Sequence, residues 1–162
     1  MYKILDNLTE DNKNALLGLQ SEVYMQPATS YRRRVGVNGP NNLSVYNFSK
    51  YLNGWTRHQR KTFMENFPDP ADLKAVAKWF LEIPAVDGQI DKTNTWQNEA
   101  SAAWVTSYNL KGAGNITIGD EEVIVPEGKG ITFQLSIAHG ITKTSDGTLW
   151  ACVMHLDNLW NV

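Results

Sequence analysis

The sequence is poor in the features that mark several large classes of protein. It has one cysteine, Cys152, in 162 residues, which excludes an intramolecular disulfide framework. It has no strong excess of charge: at a net −2 there is no general electrostatic basis for binding nucleic acid or an anionic membrane. It has no long hydrophobic run. The opening stretch MYKILDNLTED offers neither a secretion signal nor a membrane span, so the expectation is a reduced, cytoplasmic protein. Internal repeats and low-complexity tracts are missing too, as are serine-hydrolase, P-loop, Rossmann and zinc-finger signatures. GAGNITIG, between Gly112 and Gly119, is a weak glycine pattern that does not open a helix.

What is present is an ordinary globular composition, 42% hydrophobic and 20% charged, long enough to bury a core as one domain over residues 1–162. The first part, 1–87, reads as mainly helical support. Thr9 is placed as an N-cap before acidic Glu10 and Asp11, and Leu16, Leu19 and Val23 then recur at helical spacing. Thr56 followed by Gln59 is a capping-box pattern. In DPADLKAVAKWFLEI, Asp69 and Pro70 suit a helix start, and Leu73, Val76, Ala77, Phe80 and Leu81 form one apolar stripe ending before Pro84. Tyr31 to Val37 read as a short strand. Arg32, Arg33 and Arg34 make the one run of three basic residues, which serves either as a solvated edge or as an anion-binding patch for phosphate or carboxylate.

From residue 88 the character changes to a β-core. AAWVTSYNL, NITIG, EEVIVPEG, GITFQLSIAHGI and TLWACVMHL are short β-branched or aromatic runs separated by glycine-containing turns. That spacing predicts antiparallel strands in a sandwich or barrel. If GITFQLSIAH is one unbroken strand, Ile131, Phe133, Leu135, Ile137 and His139 share a face, and the histidine points inward beside four apolar residues. On the next strand Trp150, Cys152 and Met154 share one face, and Leu149, Ala151, Val153 and His155 the other.

Three stretches resemble the 2-oxoglutarate/Fe(II)-dependent oxygenases of the prolyl-hydroxylase type, and more broadly the cupins. YKILDNLTEDNKNALLGL is similar to the family's opening strand and helix, and SYNLKGAGNITI to the strand and hairpin that open the second half of its core. VPEGKGITFQLSIAHGITKTSDGTLWACVMHL is similar to its last segment, with a distal His-Gly before a glycine turn and the final strand. The resemblance implies an α+β chain: a double-stranded β-helix (jelly roll) with the helical N-terminal half packed on one sheet. It also implies possible use of Fe(II) and 2-oxoglutarate, with His139 in the distal iron-binding position.

The chain departs from that pattern at two points. The family holds iron with an upstream His-x-Asp pair as well as the distal histidine, whereas here no histidine lies between Phe80 and Leu110; Gln97 and Glu99, after Trp96, are the nearest stand-ins. The family's basic residue two positions beyond the last glycine, which holds the cosubstrate's far carboxylate, is replaced by Leu149 after Gly147. Lys143, Arg32 or Arg34 would have to supply that charge.

The leading expectation is therefore an oxygenase-like β-helix with an incomplete metal site (His139, Glu99, Gln97), binding a small polar ligand or a protein partner in the barrel mouth. Trp96, Trp104, Tyr108 and Trp150 are candidates for a stacking pocket, with core filling as their other use. The alternatives are a divergent, active metal-dependent oxygenase and a homo-oligomeric structural protein joined through sheet edges.

Overall fold

Alternation along one strand organises the molecule. In a computed structural model describing residues 2–23, 26–27, 46–48, 56–68, 75–83, 103–143, 147–158, 160 and 162, the run Thr148–His155 is a strand buried on both faces. Leu149, Ala151 and Val153 enter one apolar cluster, Trp150 and Cys152 another. Successive side chains of a strand point to opposite faces, so this strand is the wall between two cores.

The strands are β1 (Tyr2–Leu5), β2 (Gln26–Pro27), β3 (Tyr46–Phe48), β4 (Ala75–Ile83), β5 (Trp104–Lys111), β6 (Gly114–Ile118), β7 (Glu121–Val125), β8 (Gly130–Gln134), β9 (His139–Lys143) and β10 (Thr148–His155). They form a seven-stranded sheet in the order β1-β8-β5-β10-β4-β3-β2 and a three-stranded sheet in the order β7-β6-β9. Every pairing is antiparallel. Sequence neighbours β8 and β9 fall in different sheets, and β5 sits between β8 and β10, which is the crossing-over of a jelly roll.

The inner face of the large sheet meets the small sheet. Trp79, Val105, Ile131, Phe133, Trp150 and Cys152 pack there with Ile118, Val123 and Val125. The outer face is covered by α1 (Glu10–Glu22) and α2 (Arg57–Asn66), whose Leu16, Leu19 and Phe63 lie on Phe80, Tyr108, Leu110 and Val153. Both helices start where side-chain oxygens satisfy the first backbone amides. Thr9 Oγ1 accepts from the amide of Asn12 at 3.1 Å, and Thr56 and Gln59 close a full capping box.

The segment read from sequence as the clearest helix is instead a strand. Ala75–Ile83 is β4, hydrogen-bonded to β10 along its length and to β3 on its other side, so the helical stripe is corrected over Val76 to Leu81, while Leu73 lies outside the described residues. The cause is double burial: Trp79 faces the inner cluster and Phe80 the outer one. A strand buried on both faces shows a continuous apolar run without alternation, and such a run also fits helical spacing. Asp69, Pro70 and the strand expected at Tyr31 to Val37 lie outside the described residues. Among the described residues no helix is long and apolar enough to cross a membrane.

Candidate functional site

His139 is the residue on which the site turns, and a break in the chain sets its position. The expected single strand through His139 ends at Gln134. Leu135 then donates its amide to the Ala103 carbonyl (2.9 Å), Ile137 turns back onto Gln134 (3.1 Å), and His139 opens β9 in the small sheet opposite Ile118. The unbroken strand is thus corrected. The inward placement survives by another route, because Leu135 and Ile137 still pack in the inner cluster and the imidazole lies 4.9 Å from the Phe133 ring centroid.

His139 is 8% exposed. Its Nδ1 lies 2.8 Å from the Ile137 carbonyl oxygen, which only accepts, so Nδ1 carries the proton and Nε2 the lone pair of the neutral ring. Burial holds the imidazole pKa below its ordinary value, opposed in part by the bond to Ile137. The result is a neutral ring with a fixed tautomer and orientation, the state in which imidazole accepts a hydrogen bond or ligates a metal.

Beneath it the barrel floor is packed tightly. Trp150, 3% exposed, lies so close over Gly114 that a Cβ there would stand 2.5 Å from Cζ2 of the indole. Asn109 donates its side-chain amide to the carbonyls of Gly112 (2.8 Å) and Val125 (2.9 Å), and its Oδ1 accepts from the amide of Lys111 (3.1 Å). Cys152 bonds Ser107, and burial pushes its thiol up to about 12.

The sequence-expected site residues are dispersed. Trp150 is inside the barrel. Tyr108 faces the other way, in the helix-covered core with its ring edge-on to Phe67 at 5.3 Å, and burial raises its pKa; this corrects its assignment to a pocket in the barrel mouth. Trp104 pairs across the sheet with His155 and alternates with Val105, so it too belongs to the outer face and not the mouth. Lys143 ends β9 in register with Asn115. Gln97, Glu99, Trp96, Arg32 and Arg34 lie outside the described residues.

Sequence reasoning missed a second buried polar group on the outer face. His155, 1% exposed, places Nδ1 2.7 Å from the Asp157 carbonyl and Nε2 2.7 Å from Thr106 Oγ1. Thr106 also meets Thr132 Oγ1 (3.1 Å) and accepts from Trp160 Nε1 (3.3 Å). Only the parity of His155 with Leu149 and Val153 pointed to this face; the threonines gave no signal of their own.

An iron centre of the facial-triad kind requires three converging ligands. Among the described residues no group of three His, Cys, Asp or Glu side chains converges, so His139 fits such a centre as one ligand and the described residues do not complete it.

The architecture matches known structures. A prolyl-4-hydroxylase from Pseudomonas putida superposes with a TM-score of 0.61 at 10% identity, over 96% of this chain and 92% of that one. An oxidoreductase of the 2OG-Fe(II) oxygenase family from Burkholderia pseudomallei gives 0.58 at 10% identity, over 97% and 86%. The EutQ protein of Clostridium difficile gives 0.50 at 14%, over 86% and 79%. No protein-family model matches the sequence, and no curated protein does. The chain therefore has the oxygenase-like, cupin-type jelly-roll fold. At these identities the likeness concerns fold and not chemistry.

Proposed function

We propose that this chain is an oxygenase-like β-helix protein with an incomplete metal site, which holds a small ligand or a partner at the barrel mouth around His139. The observation that carries the reading is the buried, neutral, orientationally fixed imidazole beside Phe133. A single rigid hydrogen-bonding group set in an apolar wall is the usual make-up of a small-molecule pocket. The chain's upstream stand-ins, Gln97 and Glu99, replace an imidazole by a much poorer amide ligand. A cytoplasmic location accords with the composition, and neither nucleic acid nor membrane is expected as a partner.

A second reading, a divergent metal-dependent oxygenase using Fe(II) and 2-oxoglutarate, is favoured by one specific observation. Donation from Nδ1 to a carbonyl is how metal-binding histidines are commonly oriented, and on this reading Nε2 would be the ligating atom. On that reading Glu99 and Gln97 complete the site, and a basic residue such as Lys143, Arg32 or Arg34 meets the cosubstrate.

Calorimetric titration with Mn(II), with and without 2-oxoglutarate, on the wild type and His139→Ala separates the two. The first reading expects weak metal binding that is indifferent to 2-oxoglutarate and to the substitution. Micromolar binding that tightens with 2-oxoglutarate and disappears in the variant would overturn it in favour of the enzyme.

A further inference from the structure

Trp160 is held on the outer face of the large sheet by one directed bond. It follows β10 in a turn that belongs to neither sheet, and it packs half-buried against the helix-covered cluster. Its indole N–H donates to Thr106 Oγ1 at 3.3 Å. The turn itself is secured by other groups. His155 Nδ1 meets the Asp157 carbonyl at 2.7 Å, and the Asn158 side chain bonds both the amide (3.0 Å) and the carbonyl (2.8 Å) of Val162. The indole is therefore an occupant of the sheet surface and not what folds the turn.

The surface beneath the indole has a fixed polarity. Register sets Thr132, Thr106 and Val153 side by side on β8, β5 and β10, facing outward together. Both threonines are buried, and His155 behind them is 1% exposed. The Asp157 carbonyl only accepts, so His155 Nδ1 carries a proton. With the ring neutral, Nε2 takes the Thr106 hydroxyl hydrogen, and Thr106 accepts from Thr132 and Trp160. With the ring protonated, Nε2 donates to Thr106, whose hydrogen turns to Thr132. In both states Thr106 offers the indole a lone pair and no hydrogen. A donor is satisfied there, and an acceptor would face another acceptor.

We propose that this surface is a binding site for a flat heteroaromatic ring bearing an N–H, which the chain fills with its own Trp160. The site lies on the opposite face of the sheet from His139, so it does not depend on the reading of the barrel mouth. A tethered ring competes at an effective concentration on the order of millimolar, so the site is seen only once Trp160 is removed.

Indole and benzofuran test the proposal in the full chain carrying Trp160→Ala, since they share a shape and differ by N–H against ring oxygen. The readout is the ring resonances of His155, one of three histidines, assigned by comparison with His58→Gln and His139→Gln. Indole is expected to shift those resonances and to bind at least about threefold more tightly than benzofuran, within the usual net worth of one hydrogen bond. Adding Thr106→Val should bring the two ligands level. Benzofuran binding as tightly as indole, or indole leaving His155 in place, would overturn the proposal. Should Trp160→Ala fail to fold, Trp160→Phe keeps a ring and lacks the N–H. Indole should then move His155 at a concentration that leaves the wild type unchanged, and equal responses of the two proteins would overturn the proposal as well.

Discussion

The two faces of the large sheet are built from the same strands and solve different problems. Among the described residues the outer face is covered by two capped helices, and its polar groups Thr106, Thr132, His155 and Trp160 are joined by mutual hydrogen bonds. The inner face carries His139 near the end of an apolar wall, held by a bond within its own turn and a ring contact to Phe133. On the outer face side chains bond one another; on the inner face Asn109 ties β5 to the small sheet through a backbone carbonyl, and His139 is oriented by its own turn. The outer network joins side chains from three strands and Trp160, and the inner one joins side chains to backbone.

Truncating an aromatic on each face tests that division with the largest expected effects. Phe63→Ala, in the outer core, and Phe133→Ala, in the inner one, should each cost roughly 3–5 kcal/mol in urea denaturation, as large core truncations do. Only Phe133→Ala should also move the ring resonances of His139, since Phe133 is the ring it touches. An equal displacement in Phe63→Ala would show the faces to be coupled, and a cost below about 1 kcal/mol, the surface-site range, would show the facing to be wrong.

Neighbouring residues 106 and 107 sharpen the same comparison at smaller scale. Thr106→Val keeps the shape and removes a hydroxyl that bonds Thr132, His155 and Trp160, so it should cost about 1–3 kcal/mol and red-shift tryptophan emission as Trp160 loosens. Ser107→Ala, on the inner face, removes a bond to the Cys152 thiol, a weak partner, and should cost less than about 1 kcal/mol. The reverse order would mean that the inner face and not the outer one depends on its polar groups.

How much of this was legible in the sequence follows from the same geometry. β5, β6, β7 and β10 were readable because turns with glycine bound them, and the caps at Thr9 and Thr56 because capping is local chemistry. β4 was not, because a strand buried on both sides loses the alternation by which strands are read, and Ala75, Lys78, Leu81 and Glu82 are also good helix formers. Its pairing with β10, across some seventy residues of sequence, outweighs those local preferences. The break between Gln134 and His139 was hidden for a related reason: Leu135 and Ile137 keep the apolar parity through a turn that changes sheets. At the site, the position of His139 was legible and the facing of Tyr108 was not. An aromatic in a strand reads alike whichever core it fills.

The smallest effect expected concerns a single proton on the inner face. Burial holds the pKa of folded His139 below its ordinary value of 6.5, with the Ile137 carbonyl opposing. In the unfolded chain the ring takes up a proton near 6.5, which the folded chain resists. Between the lowered folded value and 6.5 the unfolded state therefore binds more protons, and stability rises with pH. This contribution is fully present above 6.5 and is lost as pH falls from there through the folded value. Denaturation of wild type and His139→Gln from about pH 8 to about pH 5, a range spanning the ordinary histidine pKa, isolates it, since His58 and His155 are common to both proteins. The wild type should lose more stability than the variant across that interval. Parallel curves would mean that the inner core tolerates an imidazolium at His139 and that burial there does not hold the ring neutral.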